Sequence, residues 1–175
     1  MISIIRATEK DYKPIANIGK ISVEEAHRES CSAEDMKEFL ETNYNDDAII
    51  EELNEIKNIY HIINLNGTTV GFSKIILDVE HSNIPQKNVT KLDRIYLLKE
   101  FHDLKLGVEL LKFNIELSKE NNQAGMWLFT WVDNKRAVNF YIKTGFKIVG
   151  SHKFKVTDTH YNQHHQMYLS YRSEE

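Results

Sequence analysis

One run of eight residues, GMWLFTWV at 125–132, constrains the fold of this chain more than any other. Almost every position in it is apolar, and a strand without alternating polar positions needs cover on both faces. We therefore expect a central strand here, covered on both faces of its sheet. Trp127 and Trp131 lie four residues apart and would share one face of the strand. We expect them to pack in the core and not to stack on the bases of a nucleic acid.

Strands and helices alternate along the rest of the sequence. Strands are predicted at 2–8, on either side of the turn Asn66–Gly67, at 88–101, at 146–156 and at 164–171. Helices are predicted at 11–30, at 33–57 with a break near 43–46, at 107–120 and at 134–145, where Gly145 suits a left-handed C-terminal cap. The order β-α-α-β-β-β-α-β-α-β-β predicts a mixed α/β (α+β) fold. No repeat or Pro/Gly-rich linker divides the chain, so residues 1–175 are expected to form a single domain.

The composition excludes several classes of protein. No apolar run approaches the roughly 20 residues that span a bilayer, and the first residues lack the basic and apolar regions of a secretion signal. The net charge of −4 argues against general affinity for nucleic acid. The single cysteine, Cys31, excludes an internal disulfide and indicates a reducing cytoplasm. No metal site is expected, because the adjacent His164 and His165 would point to opposite faces of a strand.

Residues 24–55 are strongly acidic, with twelve Asp or Glu residues against only Arg28 and Lys37. Two interpretations remain open from the sequence. The acidic residues would be solvated helix faces, or they would form a rim that attracts a cationic substrate by long-range electrostatic steering.

A short polar turn, EFHDLK, leads from a strand into the helix that begins near Gly107. The first amides of a helix lack intrahelical acceptors and lie at the positive end of the helix dipole, so such a turn offers donors to a phosphate. Gly107 would let a ligand approach the backbone, and Lys105 adds a positive charge. The patterns GxxxxGK[ST] and GxGxxG are absent, which argues against a nucleoside-triphosphatase loop and a dinucleotide fold. These residues alone leave open a phosphate site or a plain helix start.

A second segment makes a family resemblance specific. The pattern N-x-x-A-x-x-F-Y-x-K-x-G-F is matched by Asn134, Ala137, Phe140, Tyr141, Lys143, Gly145 and Phe146. Together with LDRIYLLKEFHDLKLGVELL and the order of elements, it resembles the GNAT acetyltransferase superfamily, which uses acetyl-coenzyme A. The overall run is similar to bacterial small-amine acetyltransferases, including the spermidine/spermine type. The family's pyrophosphate loop reads R/Q-x-x-G-x-G/A, whereas this chain has His102 at the first position and Lys105 at the first glycine, and keeps Gly107.

The resemblance implies a GNAT fold with a mixed sheet of about seven strands, helices on both faces and a splayed slot for the cofactor. A bulge would splay the strand DRIYLL from the strand MWLFTWV, and the main chain of Ile95, Tyr96 and Leu97 would hold the acetyl group and the pantetheine arm. The pyrophosphate would be wrapped by the amides of His102, Asp103, Leu104, Lys105, Leu106, Gly107 and Val108. Asn134 would contact the cofactor arm, assisted by Asn139 or Arg136, and Tyr141 would lie near the sulfur.

The expected chemistry is acetyl transfer from a thioester to an amine. A phenol such as Tyr141 can protonate the leaving thiolate, and backbone N–H groups can stabilise the oxyanion. The amine has to lose a proton, and Asp93 is the candidate proton acceptor, with Glu24, Glu25 and His27 as alternatives that no spacing argument separates.

The sequence therefore predicts a cytoplasmic N-acetyltransferase that moves acetyl from acetyl-coenzyme A to a primary amine by direct attack. A small molecule such as a polyamine fits the acidic segment, and no membrane, nucleic-acid or metal partner is expected. A homodimer is left open. The alternatives are a non-catalytic coenzyme A-binding regulatory or sensor module of the same fold and an α/β scaffold without a cofactor.

Overall fold

The computed structural model describes residues 1–171. The strands of this part are β1 Ile2–Arg6, β2 Ile59–Leu65, β3 Thr68–Ile76, β4 Val89–Leu97, β5 Gly125–Trp131, β6 Lys147–Lys155 and β7 Tyr161–Ser170. Its α-helices are α1 Tyr12–His27, α2 Ala33–Asn43, α3 Asp46–Asn54, α4 Leu106–Glu120 and α5 Lys135–Lys143, with short 3-10 turns at Glu9–Asp11 and Lys99–Leu104. The seven strands form one sheet in the order β1-β2-β3-β4-β5-β7-β6. Because β4 and β5 are parallel and the other neighbours are antiparallel, the predicted mixed sheet is confirmed.

Helices cover both faces of the sheet, as the family resemblance implies. In β2, Ile62 packs in one core with α1, α2 and α3, whereas its neighbour Ile63 packs in another with α4. In β5, Met126 and Leu128 share a core with residues of α4 and α5, whereas Trp127 packs in a separate cluster. Because burial of each such side chain contributes about 1.5–3 kcal/mol, the doubly covered strands hold the layers together.

Polar caps set the ends of the acidic helices. The predicted break within 33–57 is confirmed, since α2 and α3 are separate helices. Ser32 Oγ accepts a hydrogen bond from the Asp35 amide at 3.0 Å, and Asn45 Oδ1 accepts one from the Ala48 amide at 2.8 Å. Each cap satisfies an amide that has no intrahelical acceptor. Among residues 1–171, every helix is too short or too polar to cross a bilayer.

Two predicted turns take the backbone conformation that their residues favour. Asn66 and Gly67 have φ angles of 51° and 85°, which suit the tight hairpin between β2 and β3. Gly145 has a φ of 98° directly after α5, so it closes this helix in the left-handed conformation expected of it.

The two central strands separate soon after they begin. β4 and β5 pair only over Val89–Lys91 and Gly125–Trp127, although both strands continue for several residues. In the pairing of β3 with β4, Lys74 lies opposite Arg94 and the next pair joins Ile75 to Leu92. Asp93 is thus the extra residue of a bulge in β4. A bulge bends a strand and increases its twist, and the slot opens on the other edge of this strand.

Candidate active site

The turn after β4 presents the start of α4 beside the open end of the slot. Its 3-10 turn, Lys99–Leu104, is followed by Lys105, and α4 begins at Leu106. The Glu109 amide makes the first i to i−4 bond of the helix, 3.1 Å to the Lys105 carbonyl. The amides of Leu106 and Gly107 precede this bond and lie at the positive end of the helix dipole, where they are suited to an anionic group.

Lys105 has the left-handed backbone conformation that glycine adopts easily, with φ 59° and ψ 11°. It stands at the position of the first glycine in the pyrophosphate pattern. The loop therefore keeps the backbone path expected of a glycine while presenting an exposed ammonium group. The sequence predicted the charge of Lys105, but lysine gives no local signal for a positive φ.

Gly107 leaves open space next to the backbone of the loop. A β-carbon added there would meet only the Phe140 ring, at 3.9 Å, which is ordinary van der Waals contact. At Gly71, by contrast, it would lie 2.6 Å from the Tyr96 carbonyl oxygen, so packing within the chain requires that glycine. Packing does not require Gly107, and its free side fits the close approach of a ligand to the helix amides.

His102 joins the turn to the end of β4 and to α5. Its Nε2 lies 2.8 Å from the Leu97 carbonyl oxygen, and Arg136 Nη1 is hydrogen-bonded to its Nδ1. Arginine can only donate, so Nδ1 accepts and Nε2 carries the proton that goes to Leu97. The His102 ring thus donates a hydrogen bond to the Leu97 carbonyl and, through its other nitrogen, holds the guanidinium of Arg136 beside the turn.

Tyr141 is buried between α5 and the sheet. Its side chain packs in the core with residues of β5 and α4, and its ring centre lies 5.5 Å from that of Phe146. Burial, aided by Tyr96, raises the pKa of Tyr141 above the ordinary value of a phenol. Tyr141 is therefore protonated at neutral pH and can donate a proton. Asn134 lies at the N-cap of α5, where its Oδ1 accepts from the Ala137 amide at 3.1 Å, and Asn139 is exposed on the same helix.

Asp93, the carboxylate predicted as a proton acceptor, is held in a network of ion pairs. Its oxygens lie 2.7 Å from Lys91 Nζ and 3.1 Å from Lys74 Nζ. Burial acts to raise the pKa of Asp93, but the ammonium groups of Lys91 and Lys74 outweigh it and hold the pKa at about 2. A carboxylate with this pKa has little affinity for a proton at neutral pH.

Glu52 in α3 extends the network behind Asp93, and sequence reasoning did not single it out. Its carboxylate accepts from Lys74 Nζ at 2.6 Å, from Arg94 Nη2 at 2.9 Å and from the Tyr60 hydroxyl at 2.7 Å. These residues come from α3, β2, β3 and β4, and no sequence spacing brings them together.

The alternative proton acceptors lie at the end of α1. Glu24 and Glu25 are exposed, whereas His27 is partly buried, with its ring centre 5.6 Å from that of Trp131 at the end of β5. Burial lowers the pKa of His27 to about 4, so its imidazole is uncharged at pH 7. Of these three residues, His27 is the one in contact with a strand that borders the slot.

Comparison with known proteins identifies the family. A model of the Acetyltransferase (GNAT) family matches residues 20–146 of the chain. The chain is 28% identical, over 90% of its own length and 91% of the relative, to an uncharacterized N-acetyltransferase from the pepI 3′ region of Lactobacillus delbrueckii subsp. lactis. It is 24% identical, over 77% and 82% of the two chains, to an uncharacterized N-acetyltransferase of Mycobacterium bovis.

Solved structures share the fold. The PaiA N-acetyltransferase of Thermoplasma acidophilum, solved in complex with coenzyme A, superposes with a TM-score of 0.78 at 19% identity and covers 98% of this chain and 99% of its own. The ribosomal-protein-S18-alanine N-acetyltransferase of Escherichia coli has a TM-score of 0.71 at 15% identity, with 100% and 97% of the two chains covered. The match to the family model spans well over half of the chain. The chain therefore belongs to the GNAT family of acetyl-coenzyme A-dependent N-acetyltransferases.

Proposed function

We propose that this enzyme transfers the acetyl group of acetyl-coenzyme A by direct attack to a primary amine of a small molecule such as a polyamine. The observation that carries the proposal is the separation of β4 from β5 beside a turn that presents free helix amides. A long, thin cofactor with a pyrophosphate group matches this combination of a slot and an anion site. The acidic segment at 24–55 supports a cationic acceptor.

The cofactor would be held mainly by the backbone. Main-chain groups of Ile95, Tyr96 and Leu97 along the open edge of β4 would bind the acetyl group and the pantetheine arm, with the Leu97 carbonyl already engaged by His102. The amides from His102 to Val108 and the ammonium group of Lys105 would bind the pyrophosphate. Asn134, Arg136 and Asn139 in and beside α5 would contact the cofactor arm.

Acetyl-coenzyme A supplies the thioester, and the residues of the chain move the protons. As the new C–N bond forms and the C–S bond breaks, the amine loses a proton and the leaving thiolate gains one. Tyr141 is proposed to protonate the thiolate, because a phenol is protonated at neutral pH and can donate its proton to the charge that develops on the sulfur. Backbone N–H groups at the edge of β4 would stabilise the negative charge that develops on the carbonyl oxygen.

Asp93 and His27 are the two candidates for the proton acceptor. Their surroundings predict different effects on stability when each residue is replaced. Asp93 is paired with Lys74 and Lys91, so Asp93→Asn is expected to lower stability together with activity. His27 is uncharged at neutral pH, so His27→Asn would lower kcat with a smaller effect on stability. The proton acceptor is the residue whose replacement lowers kcat by more than its effect on the free energy of unfolding accounts for.

A panel of amines, with release of free coenzyme A as the readout, tests the proposed function. The panel contains spermidine, a simple monoamine, an aminoglycoside, an amino acid and a peptide with a free N-terminus. We expect thiol release that depends on both acetyl-coenzyme A and an amine. Binding of coenzyme A without turnover of any member would contradict the proposal and favour the regulatory module of the same fold.

The whole chain, residues 1–175, is proposed to act as one acetyltransferase domain. The family match from 20 to 146 and the packing of strands from both ends of the chain in one sheet support this proposal. We propose a cytoplasmic location, which the single cysteine supports.

A further inference from the structure

The last residue of β4, Leu97, presents its backbone to the open slot. In the pairing of β3 with β4, Leu97 lies opposite Gly71. The next residue, Leu98, donates its amide to the Val70 carbonyl at 3.0 Å. Successive residues of an antiparallel strand direct their backbone groups to opposite sides, so the N–H and the carbonyl of Leu97 point away from β3. Within residues 1–171, β5 pairs with β4 only up to Lys91, so no strand covers these groups.

The two backbone groups of Leu97 match an amide of the cofactor. The pantetheine arm of coenzyme A contains secondary amides, each with one N–H and one carbonyl oxygen. An extended residue with both groups on its open edge can bind such an amide as it would bind a neighbouring strand. The Leu97 carbonyl is therefore the acceptor that we expect an amide N–H of the arm to use.

An imidazole of the chain itself is hydrogen-bonded to this carbonyl. His102 lies in the 3-10 turn that follows β4, and its Nε2 is 2.8 Å from the Leu97 oxygen. Its Nδ1 accepts a hydrogen bond from Arg136, which can only donate, so the ring proton is on Nε2. The His102 N–H thus makes the same kind of bond that an amide N–H of the cofactor would make.

The same ring holds Arg136 on a partner that an anion can replace. Arg136 is exposed in the first turn of α5, and its Nη1 donates to a neutral ring nitrogen. Guanidinium groups form stronger and often bidentate hydrogen bonds with phosphate. The ring of His102 belongs to the turn whose amides, at the start of α4, are suited to an anionic group. The positive charge of Arg136 is therefore kept next to the expected phosphate site.

We propose that His102 is an internal competitor of the cofactor, which occupies the Leu97 carbonyl until an amide of the pantetheine arm displaces it. The imidazole then leaves the edge of β4, and its bond with Arg136 breaks. The cofactor amide replaces the ring at Leu97, and a phosphate oxygen replaces it at the guanidinium. This inference rests on the proposed placement of the cofactor along β4, and it adds a conformational step that couples binding of the arm to binding of the phosphates.

The sign of one change in affinity tests the proposal. If His102 only fixed Arg136 in place for the cofactor, removal of the ring would weaken binding. Competition predicts instead that His102→Ala binds coenzyme A roughly threefold to tenfold more tightly, because the arm no longer displaces a hydrogen bond. Calorimetric titration measures the affinity, and thermal unfolding without ligand shows that the variant is folded. Equal or weaker binding overturns the proposal.

Fragments of the cofactor test the coupling between the arm and the phosphates. Pantetheine carries the amides without a phosphate, and ADP carries the pyrophosphate without the amides. Arg136→Met frees the His102 ring on its Nδ1 side and removes a positive charge. We expect this variant to bind pantetheine severalfold more tightly and ADP severalfold more weakly. Weaker binding of both fragments contradicts the coupling, because it would make Arg136 a simple contact of the whole cofactor.

Lys135→Met is the control variant. Lys135 is the neighbouring exposed cation, and its Nζ donates to the Val132 carbonyl at 2.8 Å and not to the ring of His102. Its replacement removes the same charge without freeing the imidazole, so the affinity for pantetheine should not change. If Lys135→Met and Arg136→Met bind pantetheine equally tightly, the effect comes from net charge and the proposal is overturned.

The His102 ring reports its own displacement in the unmodified protein. In isotope-labelled protein, the proton on Nε2 is hydrogen-bonded and gives a separate nuclear magnetic resonance signal, which is assigned by its loss in His102→Ala. Saturation with coenzyme A should remove or strongly shift this signal, whereas ADP should leave it in place. A signal that is unchanged with coenzyme A bound refutes the displacement, because the ring and the cofactor would then share the Leu97 carbonyl.

These binding measurements are independent of turnover, so they separate failure of the displacement from failure of the acetyl transfer. Tighter binding of coenzyme A by His102→Ala supports the displacement even if no amine is acetylated. A persistent His102 signal in an active enzyme overturns the displacement and leaves the acetyl transfer intact.

Discussion

Replacement of Lys105 by glycine should have opposite effects on stability and on cofactor binding. Lys105 has a φ of 59° and a ψ of 11° before the first turn of α4. A left-handed backbone costs an L-residue about 1–2 kcal/mol, whereas glycine avoids that cost and loses part of the gain through its greater freedom in the unfolded chain. The net expectation for Lys105→Gly is a gain of about 1 kcal/mol, or roughly 2–4 °C in Tm for a domain of this size.

The same substitution removes the ammonium group proposed to face the pyrophosphate. An exposed charge pair contributes up to about 1 kcal/mol, so the affinity for coenzyme A should fall about fivefold, and by more at low ionic strength. Thermal unfolding of the ligand-free protein measures the first effect. Calorimetric titration with coenzyme A at two salt concentrations measures the second.

Lys105→Ala separates the two effects, because alanine lacks the charge but keeps the β-carbon. It should lose the same affinity as the glycine variant without the gain in Tm. If the glycine and alanine variants melt at the same temperature, the argument from backbone strain is wrong. If both bind coenzyme A as tightly as the parent protein, Lys105 does not contact the phosphate groups.

Three further predictions concern the interior. Tyr141→Phe should lower kcat by about 100-fold or more while coenzyme A binding is retained, and equal loss of both in a calorimetric titration would point to a packing defect instead. Gly19→Ala should destabilise the protein by about 1–3 kcal/mol in urea unfolding, because its β-carbon would overlap the Tyr44 ring; an unchanged midpoint would contradict that packing. The pKa of His164 is about 4 in the folded protein and near 6.5 in the unfolded chain. Its contribution to the free energy of unfolding is therefore complete above pH 6.5 and is lost as the pH falls toward 4. Urea unfolding at pH 7, 6 and 5 measures this loss. In His164→Gln the unfolding free energy should fall less steeply with decreasing pH, by about 1.4 kcal/mol per pH unit. If the parent protein and the variant show the same dependence on pH, the lowered pKa of His164 is refuted.

Local patterns predicted much of the fold. The continuous apolar run at 125–132 indicated a doubly covered central strand, the Asn66–Gly67 pair indicated a hairpin, and Gly145 indicated the end of α5. Each of these signals is local, because it depends on the period of apolar residues or on the conformational freedom of one or two residues. The splayed slot followed from the family resemblance and not from such a pattern.

Features that depend on distant residues were beyond the sequence argument. The sequence names Asp93 as a candidate proton acceptor without its full set of ion pairs, because Lys74 and Glu52 lie far from it along the chain. Burial acts to raise the pKa of Asp93, but the ammonium groups of Lys91, two residues away along the chain, and of the distant Lys74 hold it at about 2.

The short pairing of β4 with β5 makes the sheet two leaves joined at one end. Strands β1 to β4 form one leaf and β5 to β7 the other, with three paired positions as the hinge. The part of β4 beyond Lys91 is about 20 Å long at roughly 3.3 Å per residue. A rotation of about 10° about the three paired positions would therefore move the end of β4 at Leu97 by roughly 3 Å. Helix α1 contacts β4 on one leaf and, through His27, Trp131 on the other. Helix α1 therefore contacts both parts of the sheet across the slot, so we expect substitutions at His27 to change the separation of β4 and β5 as well as the chemistry of the site.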